Sequence, residues 1–258
     1  MGILNVTPDS FSDGGLWSDP GAALAHGVRL LDEGADILDV GGESTRPHSR
    51  RIDADEEWAR IARVVEGLVH RGAVVSVDTV HADTARRAVE AGAAIVNDVS
   101  GGRLDPQMAG VVASAGCAMV VQHWRAFPGS PEEDLRYKDV VADVLAETAA
   151  QVRDVLDAGV DPGCVVVDPG LGFSLSASQS WRIVEDMGRL RSLGYPVLVG
   201  ASRKRFLATG PGVGRDRDRV TAEITRRAVE AGMWAVRVHE VAPSAAIVRA
   251  GVAGKERA

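Results

Sequence analysis

Eight times along its length the chain runs through a short apolar stretch and stops on polar residues or glycine, and this recurrence limits the fold more than anything else in the sequence. The stretch Val165-Val166-Val167-Asp168-Pro169-Gly170-Leu171-Gly172-Phe173 shows the design most plainly. Three β-branched residues in a row, with no polar alternation, make a strand covered on both faces. The run ends in a carboxylate and then meets proline and glycines. The chain therefore turns away and leaves Asp168 at the carboxyl end of a buried strand, within reach of a ligand. Comparable runs are Met1-Gly2-Ile3-Leu4-Asn5-Val6, Ile37-Leu38-Asp39-Val40-Gly41, Val74-Val75-Ser76-Val77-Asp78, Ile95-Val96-Asn97-Asp98, Met119-Val120-Val121-Gln122-His123, Pro196-Val197-Leu198-Val199-Gly200 and Val236-Arg237-Val238-His239.

Helical signals separate the runs. Pro20 opens one helix that continues through Leu30 and Leu31 and stops at Gly34. Asp53-Ala54-Asp55-Glu56-Glu57 places carboxylates at the positive end of the next. Further helices are predicted over 83–90, 106–115, 138–158, 178–193, 220–231 and 244–250. Long polar loops follow the first two strands, over 7–15 and 42–51.

Eight strand and helix alternations with no break in composition predict one α/β domain over 1–258. Parallel strands joined by right-handed crossovers, with no exposed edge strand, close into a (β/α)8 TIM barrel. An open doubly wound sheet that bound a dinucleotide would carry a G-x-G-x-x-G turn after its first strand, which is absent here. In a barrel the polar strand ends converge on one mouth.

Composition narrows the chemistry. A net charge of −7 and only 4% aromatic residues argue against nucleic-acid binding, and no run is long enough to span a membrane. Cys117 and Cys164 lack partners at ligand spacing and read as buried, inert thiols of a reducing, cytoplasmic interior. Met1 leads straight into an apolar strand, so no signal peptide is expected.

The side chains gathered at the mouth are Asn5, Asp78, Asn97, Asp168, Lys204, Arg237 and His239. Carboxylates and an amide accept hydrogen bonds from a flat nitrogen-rich ring, and Lys204 donates to a ring carbonyl. Arg237 and His239 occupy alternate positions of one strand, point the same way, and form an anion site where barrels commonly hold phosphate. Of Arg203-Lys204-Arg205 one is expected to point inward, and composition alone does not choose which. Asp39 and Asp98 are read as structural, a helix cap or a loop tether. His26, His70 and His81 are assigned to solvent or packing; for His123 structural and functional readings weigh equally.

These segments, from Met1-Gly2-Ile3-Leu4-Asn5-Val6-Thr7-Pro8-Asp9-Ser10-Phe11-Ser12-Asp13-Gly14-Gly15 through Gly41-Gly42-Glu43-Ser44-Thr45-Arg46-Pro47, Asn97-Asp98-Val99-Ser100-Gly101-Gly102 and Asp168-Pro169-Gly170-Leu171-Gly172-Phe173 to Ser202-Arg203-Lys204 and Arg237-Val238-His239, resemble the dihydropteroate synthases. The likeness covers essentially the whole chain in order, and His123-Trp124-Arg125 is similar to the actinobacterial type. It implies condensation of 6-hydroxymethyl-7,8-dihydropterin diphosphate with p-aminobenzoate to 7,8-dihydropteroate, releasing diphosphate, with Mg²⁺. By the same resemblance Asp78, Asn97, Asp168 and Lys204 hold the pterin, Thr45, Arg237 and His239 bind diphosphate, and Asn5 contributes to Mg²⁺. Phe11 and Pro47 would flank the p-aminobenzoate ring, with Asp13 and Arg46 tying their loops together. The resemblance further implies a homodimer and competition by sulfonamides. A non-catalytic pterin-binding paralogue and a methyltetrahydrofolate methyltransferase are the alternatives. The first is disfavoured by the intact loops after strands one and two; the second has no use for the Arg237 and His239 pair.

The chain departs from the family pattern at Ser174 and Leu175, where many members carry a small residue and a lysine, and at His48, Gln122, Arg205 and Glu240. Arg205 stands where many members carry a contacting serine after the lysine; none of the other departures removes a residue carried over as a ligand.

Overall fold

The strand runs form strands because they are covered twice, by helices outside and by each other inside. The computed structural model describes residues 1–7, 20–44 and 49–255. Strands β1 (Gly2–Asn5), β2 (Ile37–Gly41), β3 (Val74–Asp78), β4 (Ile95–Asp98), β5 (Ala118–Gln122) and β6 (Val165–Asp168) pair in sequence order, all parallel. Strands β7 (Leu198–Val199) and β8 (Ala235–Val236) pair with each other. Parallel bridges Val167↔Val197 and Gly2↔Val238 join the two arcs. At the seam between β1 and β8, Ile3 N donates to Val238 O at 2.9 Å and Val238 N to Met1 O at 3.0 Å. The sheet is thus a closed ring, the TIM barrel expected from the sequence.

Helices α1 (Pro20–Asp32), α2 (Ala54–His70), α3 (Ala82–Glu90), α4 (Met108–Ala115), α5 (Val140–Asp157), α6 (Ala177–Glu185), α7 (Arg217–Glu230) and α8 (Val241–Lys255) follow the strands in turn. Their starts are written in capping residues: the side chains of Asp53, Asp139 and Asp216 accept backbone N–H groups of α2, α5 and α7, and Ser176 and Gln179 form a capping box on α6. The segment expected as one helix over 178–193 divides at Asp186 into α6 and a 3-10 stretch, Met187–Leu193. Among the described residues no helix is long and apolar enough to cross a membrane.

Two apolar layers follow from strand parity. Leu4, Leu38, Val40, Val75, Val77 and Val96 point outward and pack with Leu30, Ile61 and Leu68 of the helices. Met1, Ile95, Val120, Val166 and Leu198 form a separate cluster, backed by Ile37, Ala118 and Ala235. Those residues point inward and plug the lower half of the barrel, so every inward position above them opens toward the mouth.

Candidate functional site

Counting upward by twos from the plug reaches Asn5 on β1, Asp39 and Gly41 on β2, Ser76 and Asp78 on β3, Asn97 on β4, Gln122 on β5, Asp168 on β6, Gly200 after β7 and Arg237 and His239 at the end of β8. Register sets Asn5 beside Gly41, Gly41 beside Asp78, Asp78 beside Asn97 and Gln122 beside Asp168. Six of the seven side chains expected at the mouth therefore share the inward parity of their strands. Lys204 joins them from the turn after β7, and all seven line one cavity of about 1220 Å³. Small-molecule pockets commonly measure roughly 300–1,000 Å³, so this space is of the size that takes small substrates.

The turn after β7 shows which of the three basic residues enters. Arg203 takes a left-handed φ of 57° and makes a bidentate pair with Asp218 at 3.0 and 3.1 Å. This swings Lys204 inward, where Nζ donates to Leu171 O at 2.5 Å and stands 4.9 Å from the Phe173 ring. Gly200 and Gly172 leave the room it needs: a Cβ on Gly200 would lie 3.3 Å from Asp168 Oδ2, and one on Gly172 would lie 3.3 Å from Lys204 Cδ. Burial pushes the Lys204 ammonium down to about 8, against the pull of Asp168 and Asp78. Asp168 has one oxygen tied back to Gly170 N at 2.7 Å, and burial raises its pKa against the attraction of Lys204.

On the opposite side of the cup, burial pushes Asp78 up to about 7 although Arg237 opposes it. Arg237 donates through Nε to Asp39 Oδ2 at 2.5 Å and through Nη2 to Asp78. Burial alone would lower its pKa, but Asp39 and Asp78 reverse this and raise it. The sequence reading offers Arg237 and His239 as an anion site. The structure instead draws the guanidinium down among carboxylates, because a buried cation needs a counter-charge. His239 stays at the rim, its Nδ1 3.0 Å from Ser202 Oγ.

Asp39 corrects the reading of that residue as a cap or tether. It lies inside the barrel, 0% exposed, and accepts from Ser76 Oγ at 2.6 Å, Asn97 Nδ2 at 3.1 Å and Arg237 Nε at 2.5 Å. Its position two residues before Gly41 was the available signal, since that parity faces inward. Asp98, of the other parity, is the loop tether expected, accepting Ser100 N and Gly102 N at 2.7 and 2.9 Å. His123 also points outward and is structural: it is fully buried and its Nε2 lies 3.0 Å from Glu147 Oε2 on α5. Phe11, Asp13, Thr45, Arg46, Pro47 and His48 lie outside the described residues.

Comparison with known proteins bears on this arrangement. A family model described as "Pterin binding enzyme" matches residues 1–239. Over 252 residues the chain is 49% identical to the dihydropteroate synthase of Mycobacterium leprae (strain TN), covering 95% of this chain and 89% of that protein. Among solved structures it is similar to dihydropteroate synthase from Xanthomonas albilineans in complex with 7,8-dihydropteroate, with a TM-score of 0.85, 36% identity and coverage of 99% and 92% of the two chains. It also superimposes on the Yersinia pestis dihydropteroate synthase with a sulfonamide drug complex, at a TM-score of 0.92, 30% identity and coverage of 99% and 94%.

Proposed function

We propose, for a chain that belongs to the pterin-binding enzymes and among them to the dihydropteroate synthases, the condensation of 6-hydroxymethyl-7,8-dihydropterin diphosphate with p-aminobenzoate to 7,8-dihydropteroate and diphosphate, a step of folate biosynthesis. The observation that carries this is the polar cup itself. Asp78, Asn97, Asp168 and Lys204 line one cavity, with Arg237 and His239 beside them just after β8.

Each group has a task that its environment suits. Asp168 and Asp78 accept ring N–H groups of the pterin, Asn97 supplies an amide, and Lys204 donates to the ring carbonyl. Arg237 and His239 receive the diphosphate, so negative charge that grows on the departing oxygen meets fixed cations. The bond from the methylene carbon to that oxygen breaks first, its electron pair leaving with diphosphate. The cation left behind is stabilised by the electron-rich ring and the nearby carboxylates. The arylamine nitrogen then bonds to the carbon and gives up a proton, and no protein nucleophile is required. Phe11, Asp13, Thr45, Arg46 and Pro47 belong to this proposal through the family likeness, as the loops that close over the arylamine and exclude water.

Mg²⁺ belongs to the proposal as well. Among the described residues no cluster of three or more His, Cys, Asp or Glu is arranged to cage a metal. The donor offered is the neutral carboxamide oxygen of Asn5, on the inward face beside Gly41. That fits a hard cation carried in mainly by diphosphate oxygens, with Asn5 holding it at the mouth. When bound, the ion would neutralise the leaving group. A cytoplasmic homodimer completes the reading.

The test is diphosphate release that depends on both the pterin diphosphate and p-aminobenzoate, with sulfonamide competing against the latter. Pterin binding without any p-aminobenzoate-dependent product would sink the reading.

A further inference from the structure

The two carboxylates that share Arg237 are not equivalent. Asp39 is sealed from solvent, is absent from the cavity wall, and has both oxygens engaged by Ser76, Asn97 and Arg237. Asp78 lines the cavity, its side chain is 13% exposed, and among the described residues Arg237 is the only side chain bonded to it. The arginine is therefore held at Nε by a partner that no ligand can reach. At Nη2 it is held by a partner that a ligand must use. Nη1 takes no hydrogen bond among the described residues.

We propose that Asp39 is a positioning residue, a hinge that keeps Arg237 by Nε while Nη2 passes from Asp78 to the diphosphate once the pterin ring claims Asp78. Without ligand, Arg237 occupies the acceptor that the pterin head needs. The arriving ring N–H replaces the guanidinium at Asp78, and the released Nη2 and the unused Nη1 turn to the incoming anion. Asp39 keeps its hold on Nε, since its oxygens are already taken up by Ser76, Asn97 and Arg237 and no ligand reaches it. The diphosphate subsite is thus completed only after the pterin subsite is filled. This ties departure of the leaving group to correct seating of the ring. The inference rests on the reaction proposed above, and its test uses binding alone, so a failed turnover assay and a failed hinge are told apart.

The experiment is calorimetric titration of inorganic diphosphate at fixed Mg²⁺, with and without saturating 6-hydroxymethylpterin, on the wild type, Asp78→Asn and Asp39→Asn. Each substitution removes one negative charge, so a simple field effect would strengthen anion binding in both. The hinge gives opposite signs. In the wild type the pterin tightens diphosphate about tenfold, the size of an ordinary coupling between sites. Asp78→Asn tightens diphosphate by a similar factor in the absence of pterin, because Nη2 is already free. Asp39→Asn weakens it about tenfold, because the guanidinium loses its anchor. Absence of coupling in the wild type, or the same sign in the two variants, overturns the proposal. If Asp39→Asn does not fold, the wild-type coupling and its loss in Asp78→Asn still decide it, because a field effect alone would not make diphosphate binding depend on the pterin.

Discussion

Thr79, just beyond the end of β3, donates its hydroxyl to the Glu57 carboxylate on α2 at 2.5 Å, and this closes a buried polar contact directly behind the strand that carries Asp78. Glu57 is 0% exposed, and its Oε1 has no hydrogen-bond partner among the described residues. Burial raises its pKa, with the Thr79 hydrogen bond opposing. A carboxyl raised on folding contributes stability that is present below its unfolded value, 4.5, and is lost as pH rises through the folded one. Glu57→Gln keeps a neutral head at every pH. The variant should match the wild type near pH 4 and exceed it at pH 8 by on the order of 1–3 kcal/mol, the cost of an unsatisfied buried group. Chemical denaturation at the two pH values measures this; an unchanging difference would show that folding leaves the Glu57 carboxyl at its unfolded pKa.

Gly170 fixes the loop that aims Asp168. Its φ is +69°, and a Cβ there would lie 2.4 Å from His123 O, a backbone atom that cannot swing aside. Gly170→Ala should therefore destabilise by about 3 kcal/mol or more. Because Gly170 N also holds Asp168 Oδ1, pterin affinity should fall with stability. A variant with native kcat/KM for the pterin diphosphate would separate the loop from the site.

Ser174 ties two of the loops at the mouth together. Its Oγ accepts from Arg125 N at 3.2 Å and Ala126 N at 3.1 Å and donates to Ala126 O at 3.2 Å, so it pins the chain after β5 to the chain after β6. The residue pays with a left-handed φ of 48°. Ser174→Ala loses the hydrogen bonds and keeps the strain, a loss of about 2 kcal/mol. Ser174→Gly relieves the strain and should be milder by ~1 kcal/mol. Equal losses in thermal unfolding would mean that the backbone there is unstrained.

What the sequence made legible was the strand end. Polar residues closing apolar runs were expected at one mouth, and the structure sets Asn5, Asp78, Asn97 and Asp168 on the inward faces of their strands around one cavity. Asp39 escaped because it lies within an apolar run and resembles a tether. Its partner Arg237 is 198 residues away, and the two meet only because the ring closes between β1 and β8. The choice of Lys204 among three basic residues depends on the left-handed turn at Arg203, which a non-glycine residue gives no reason to expect. His123 could have been assigned, since it is out of step with Gln122 and so faces α5.

Lys204 and Asp78 together set a pH profile. Asp78 is pushed up to about 7 and Lys204 down to about 8, both chiefly by burial. The pterin is held best when the carboxylate is ionised and the amine still carries its proton. Hence kcat/KM for the pterin diphosphate should rise as pH passes 7 and fall as pH passes 8, approaching tenfold per unit on each limb. Lys204→Arg keeps its charge throughout this range, so it should lose the alkaline limb at a lower plateau, because a planar guanidinium does not fit the slot of an ammonium. Stability responds in the opposite sense on that limb. A lysine lowered on folding binds fewer protons folded than unfolded between about 8 and its unfolded value of 10.5, so the wild type gains stability as pH rises there. Lys204→Met removes the buried charge and should be more stable than the wild type at pH 7, with the gap narrowing toward pH 10. An alkaline limb that survives in Lys204→Arg would assign that ionisation to another group, and a gap independent of pH would show that Lys204 titrates at its ordinary value in the folded barrel.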